Sequence, residues 1–198
     1  MINNFLNSEP EWGLTGSFPI LESSMNITDW LSEPGSLTQR IKQTFSGEFA
    51  VLLQEQGQSK VFSRDSSQLG LEQTDEAFVR EVLLTVSGQI MVFARTTVPN
   101  SAQNALESLT NLGSKPLGEV IFSYPDLKRP DLHFGKIPRS SLSANAAQLL
   151  GQERYLWARR NTYKIAGQVF LVSEFFLPIV FEGQVAMKNA GKVPMQYF

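Results

Sequence analysis

The sequence predicts an α+β domain, an antiparallel sheet of about six strands with helices grouped on one side. Two hairpin signals carry that expectation. Residues 77–86 run into Ser87-Gly88 and return as 89–98, and residues 155–165 run into Ala166-Gly167 and return as 168–178. A two-residue turn containing glycine between β-rich runs is a strong hairpin signature. The third observation is a set of short helix signals before and between the hairpins. At 198 residues, 42% of them apolar, the chain is expected to form one domain over 1–198. A domain of this size buries roughly 70% of the surface its unfolded chain exposes, enough for a core with an internal pocket.

In chain order, residues 26–45 come first. Thr28-Asp29-Trp30-Leu31 precedes a Pro34-Gly35 turn, and Ser36 with Gln39 three residues on is a capping-box pattern, so two short helices forming a lid are expected. Residues 48–54, where Phe49, Val51 and Leu53 alternate with Ala50 and Leu52, read as a strand buried on both faces. After the first hairpin, Ala102, Ala105, Leu106 and Leu109 follow the i, i+3, i+4, i+7 spacing of an amphipathic helix. Ser114-Lys115-Pro116-Leu117-Gly118 opens another short helix, because the amide that Pro116 lacks has no intrahelical partner in a first turn. Residues 133–137 add a strand, and residues 139–145 read as a loop entering a short helix.

Composition narrows the chemistry. Cysteine is absent, which excludes disulfides, thiolate nucleophiles, iron–sulfur clusters and cysteine-held zinc. The one histidine, His133, excludes a multi-histidine metal site and speaks against a Ser-His-Asp triad. A net charge of −2 and a pI near 5.5 speak against nucleic-acid binding. Residues 1–10 carry no positive side chain and no apolar run of signal-peptide length, and the most apolar stretch, 169–181, is interrupted and too short to span a bilayer. A cytoplasmic protein without an integral membrane segment is expected. Neither a Walker motif, a dinucleotide glycine fingerprint nor metal-ligand spacing occurs.

Two charges break the apolar pattern. With a period of two, Arg80 shares a face with Phe78, Val82 and Leu84, and Glu174 shares one with Phe170, Val172 and Phe176. Taken singly, each fits an edge position or a structural ion pair. Taken together, from different hairpins, they point to a polar site built into a sheet face. An inward guanidinium suits a carboxylate and an inward carboxylate suits a hydroxyl, so the implied ligand is small, anionic at one end and hydroxylated at the other. Arg95, in line with Met91 and Phe93, and Arg159, in line with Tyr155, Trp157 and Tyr163, either line the same cavity or stack on aromatics, with stacking favoured for Arg159. His133 reads as a loop or edge residue. The helix starts at Ser36-Leu37 and Lys115-Pro116-Leu117-Gly118 leave first-turn amides unpaired, available to a carboxylate where they face a cavity.

These residues resemble the chorismate pyruvate-lyases, also called 4-hydroxybenzoate synthases. The resemblance rests on Asp29-Trp30-Leu31 with Ser36-Leu37-Thr38-Gln39-Arg40, on residues 79–84, on Ala94-Arg95-Thr96 with Val98-Pro99, on Lys115-Pro116-Leu117-Gly118, on Leu156-Trp157-Ala158-Arg159-Arg160 and on residues 173–178. The blocks keep family order over about 28–178, leaving a C-terminal extension at 179–198. The resemblance implies a six-stranded antiparallel sheet with an internal site under two helical flaps. It implies conversion of chorismate to 4-hydroxybenzoate and pyruvate without a cofactor, the first committed step toward a quinone ring such as that of ubiquinone; a monomer is expected. Arg80 matches the arginine that takes the ring carboxylate, Glu174 the glutamate that meets the hydroxyl, and Leu37 and Leu117 the flap positions whose amides reach the carboxylate; Arg95 is carried as a further substrate-binding residue. Ala158 departs from the pattern, where glycine is expected, as does an inserted stretch at 139–153. The competing expectation is a non-catalytic binder of small aromatic acids, similar in fold to the effector domains of some bacterial regulators.

Overall fold

Both hairpin turns form at the residues that signal them. Ser87 and Gly88 have φ of 48° and 79°, and Ala166 and Gly167 have φ of 50° and 78°. Two consecutive positive φ values match the right-handed twist of the flanking strands. The computed structural model describes residues 5–14 and 25–183. The first turn joins β3 (Glu76–Val86) to β4 (Gln89–Pro99), and the second joins β6 (Tyr155–Ile165) to β7 (Gln168–Phe176). With β2 (Phe49–Lys60), β5 (Lys128–Pro138) and the two-residue β1 (Gly13–Leu14), they form one sheet in the order β1-β5-β6-β7-β4-β3-β2, antiparallel throughout. The α+β class and the antiparallel sheet stand as expected.

The lid also forms. Helix α1 (Met25–Leu31) buries Trp30 and Leu31, and α2 (Leu37–Thr44) buries Leu37, Thr38 and Ile41 on one stripe. Ser36 caps α2, its hydroxyl accepting from the Gln39 amide at 3.3 Å. Helices α4 (Glu107–Thr110) and α5 (Leu117–Ile121) follow β4 on the same face of the sheet. On this face Trp30, Ile41, Val51, Val82, Leu84 and Phe176 form one apolar cluster, and Phe78, Val98, Leu106, Leu109, Ile121 and Phe170 form another. The gap between them is where the polar site lies.

Several expectations need correction. Among the described residues strand β2 is an edge strand paired only with β3, and it is not buried on both faces: Val51 is buried while Leu52 and Leu53 are 46% and 37% exposed. The helix expected at 102–109 breaks into a 3-10 turn at Asn100–Ala102 and the short α4, although its apolar positions Ala102, Leu106 and Leu109 are all buried. Helices occupy both faces. The unforeseen α3 (Ser63–Leu69) and α6 (Ala144–Gln148, capped by Ser143), the short helix expected after the 139–145 loop, lie on the reverse face, where Ala146 joins Phe5, Leu83, Phe93, Ile137, Leu156 and Phe175. The C-terminal extension is described only as far as a helical segment at 179–183; residues 184–198, like 1–4 and 15–24, lie outside the described residues. Among the described residues no helix is long and apolar enough to cross a membrane.

Candidate active site

Period-two geometry sets the floor of the site. Arg80 pairs in register with Thr96, Thr96 with Val172, Ala94 with Glu174 and Glu174 with Arg159, so these side chains share one face. Arg80 and Glu174 are two strands and two residues apart, roughly 12 Å between Cα atoms at ordinary strand spacings. The roof comes from Gly35, Leu37 and Thr38 of the first flap and Leu117, Gly118, Ile121 and Phe122 of the second, which with the floor enclose a cavity.

Arg80 is 2% exposed, and its Nε and Nη2 are held in place by main-chain carbonyls. Nε donates to Gly113 at 3.0 Å, and Nη2 donates to Gly113 and Lys115, each at 2.8 Å. These bonds fix the plane of the fork and anchor the loop leading into α5. They bring no counter-charge. Burial alone lowers its pKa from 12.5 to about 10, which still leaves the group charged at neutral pH. Arg80 is thus a buried guanidinium in the cavity wall with no carboxylate partner among the described residues.

Glu174 is differently placed. Its Oε2 accepts from Arg159 Nε at 2.5 Å and from Asn161 Nδ2 at 3.4 Å, while the carboxylate lines the cavity. Arg159 thus neutralises the acid and fixes its rotamer. Of the two placements expected for Arg159, the structure shows the cavity lining, against the favoured stacking on Tyr155, Trp157 and Tyr163; its guanidinium carbon lies 5.7 Å from the centre of the Phe176 ring instead. Tyr163 completes this end. Its ring stacks on Phe170 and lines the cavity, and burial, with Glu174 nearby, pushes the phenol up to about 12, keeping it a neutral donor.

Four of the five site residues expected from the sequence, Arg80, Glu174, Leu37 and Leu117, line this one cavity. Arg95 does not. It pairs in register with Glu81 on the reverse face, where Nη1 donates to Glu81 Oε1 and the guanidinium lies 4.8 Å from the Phe62 ring. An odd residue offset from Arg80's partner Thr96 places it there. His133 is also on that side, opposite Arg160, which in turn pairs with Asp65 of α3 at 2.7 Å. The sequence reading missed Asn161 and Arg129. Asn161 was accessible, since it continues the inward period from Arg159; Arg129 sits before Pro130 at an irregularity in β5 that no periodicity reveals.

A protein from Thiobacillus denitrificans named probable chorismate pyruvate-lyase is 35% identical over 160 residues, covering 79% of this chain and 85% of its own. One of the same name from Pseudoalteromonas translucida is 34% identical over 179 residues, covering 90% and 97%. In fold, the effector domain of PhnF from Mycobacterium smegmatis superposes with a TM-score of 0.53 at 17% identity, over 73% of this chain and 90% of that domain. The model of the family described as chorismate lyase matches residues 17–186. The chain belongs to the chorismate lyase family.

Proposed function

We propose that this protein is a chorismate pyruvate-lyase that releases 4-hydroxybenzoate and pyruvate, with the ring carboxylate on Arg80 and the ring hydroxyl toward Glu174. The observation that carries the reading is Arg80, a buried cation whose neighbours hold its geometry and leave its charge unanswered. The main-chain amides of Leu37 and Leu117, both in the cavity roof, supply two further donors to the same carboxylate. In this reading the protein works as a cytoplasmic monomer feeding a quinone ring precursor.

The chemistry asks little of the side chains. The carbon–oxygen bond to the enolpyruvyl group breaks, the hydrogen on the hydroxyl-bearing carbon leaves, and that hydrogen's equivalent ends on the departing enol to give pyruvate. The ring becomes aromatic, which supplies the driving force. Clamping the ring at both ends holds the reacting bonds in the conformer that eliminates, and positioning of this kind is worth on the order of 7 to 11 kcal/mol in the best cases. The flaps exclude water from the enol as it forms. Glu174, held in place by Arg159, accepts a hydrogen bond from the ring hydroxyl and orients the adjacent C–H bond.

The test is incubation with chorismate in the presence of a chelator, following 4-hydroxybenzoate and pyruvate. Equimolar products are expected. Tight binding of 4-hydroxybenzoate without turnover would replace the enzyme with a binding module, the role the PhnF effector-domain fold brings to mind.

A further inference from the structure

The acid in the floor and the carbonyl end of α1 are held by one guanidinium group, that of Arg159, with Arg129 beside it. Arg159 donates through Nε to Glu174, and through Nη1 to the carbonyls of Trp30, Leu31 and Glu33 at 3.4, 3.3 and 2.9 Å. Arg129 donates through Nη1 to the same Glu33 carbonyl at 2.8 Å and through Nε to Asn161, which in turn reaches Glu174. Glu33 leads directly through Pro34-Gly35 to the Ser36 cap and to Leu37 in the roof. One side chain therefore spans catalytic floor and flap hinge.

Arg129 lies near the Glu174 and Glu33 carboxylates, and its Nη2 is buried without a hydrogen bond among the described residues. Helix ends are more often capped by a glycine or a single side chain. Here the α1 terminus is held by Arg159, a cation that also serves the acid, an arrangement that costs desolvation.

We propose that Arg159, supported by Arg129, is a positioning residue that couples seating of the α1–α2 flap to the orientation of Glu174. The role rests on the reading of this cavity as the active site. It requires arginine, because Nε must serve the acid while Nη1 serves the hinge, and a lysine ammonium cannot hold both directions with one rigid fork.

The test compares Arg159→Lys and Arg129→Lys with Arg160→Lys, a control at the adjacent residue whose guanidinium pairs with Asp65 on the reverse face. Amide hydrogen exchange across residues 26–45 is followed in the ligand-free proteins, and the dissociation rate of 4-hydroxybenzoate is measured in the loaded ones. Arg159→Lys should raise exchange at the α1–α2 junction by about tenfold or more, the worth of a charge-assisted hydrogen bond, and speed ligand release similarly. Arg160→Lys should lower the thermal midpoint and change neither readout. Should Arg159→Lys fail to fold, Arg129→Lys, which keeps the Arg159–Glu174 pair, carries the comparison. Unchanged exchange and release in the folded variants would overturn the coupling. An inactive wild type would sink the activity reading alone, because hydrogen exchange needs no turnover.

Discussion

Glu81 and Arg95 are register partners on β3 and β4 and form an ion pair on the face of the sheet that Arg80 turns away from. Strands β3 and β4 therefore carry two arginines in opposite settings: Arg95 is matched by a carboxylate, and Arg80 is held by main-chain carbonyls alone. A buried charge with its own partner is a structural element, and removing the partner strands the remaining ion.

The two arginines should separate cleanly under substitution. Arg80→Ala is expected to weaken 4-hydroxybenzoate binding by about 2 to 5 kcal/mol, and Arg80→Lys to recover only part of it, since an ammonium lacks the planar fork. Arg95→Ala should instead cost about 3 to 5 kcal/mol of stability by leaving Glu81 unpaired, with ligand affinity retained in the folded fraction. Calorimetric titration and chemical denaturation of both variants check this.

Glu174→Gln touches both roles of the acid. The amide oxygen still accepts from Arg159 Nε, so stability should fall by about 1 to 3 kcal/mol, less than deletion of a buried partner costs. The single-turnover rate should fall by about 10- to 100-fold, the worth of a charge-assisted hydrogen bond to the ring hydroxyl. A large drop in thermal midpoint with near-normal turnover would return Glu174 to a purely structural role.

Gly118 marks where the flaps meet. A Cβ there would lie 2.5 Å from Ser36 Oγ, the atom that caps α2. Gly118→Ala should displace that hydroxyl, cost about 1 kcal/mol of capping and part the flaps. Faster release of 4-hydroxybenzoate with an intact single-turnover rate is expected, measured by stopped flow.

His133 gives the fold a pH dependence away from the cavity. Burial, with Arg160 nearby, holds its pKa below the ordinary 6.5. The unfolded chain then binds the proton more readily than the folded one, so this contribution to stability is complete above about 6.5 and is lost as pH falls below it. Thermal midpoints taken from about pH 8 to 5 should decline in the wild type, and His133→Gln should flatten that decline.

Much of this was legible because the sheet has a strict period. Arg80 and Glu174 announced themselves as charges on apolar faces, and Ser87-Gly88 and Ala166-Gly167 fixed the turns that set their register. The same rule, applied to Arg95 relative to Arg80's partner, needed the register between β3 and β4, which turn chemistry alone does not deliver once a strand contains an irregularity such as that at Leu84/Thr85. Strand β2 misled because an apolar run looks alike at a sheet edge and in its centre until its neighbours are known. Arg159 stands in line with aromatics, but its bond to Glu174 depends on a cross-strand pairing within the second hairpin, and its bonds to α1 on contacts 129 and 128 residues apart in sequence.

The most direct test of the central claim is a crystal structure of the protein with 4-hydroxybenzoate. The ring should lie beneath the two flaps, its carboxylate on Arg80 and on the amides of Leu37 and Leu117, and its hydroxyl toward Glu174. A ligand seated elsewhere, or reversed so that its hydroxyl meets Arg80, would contradict the account.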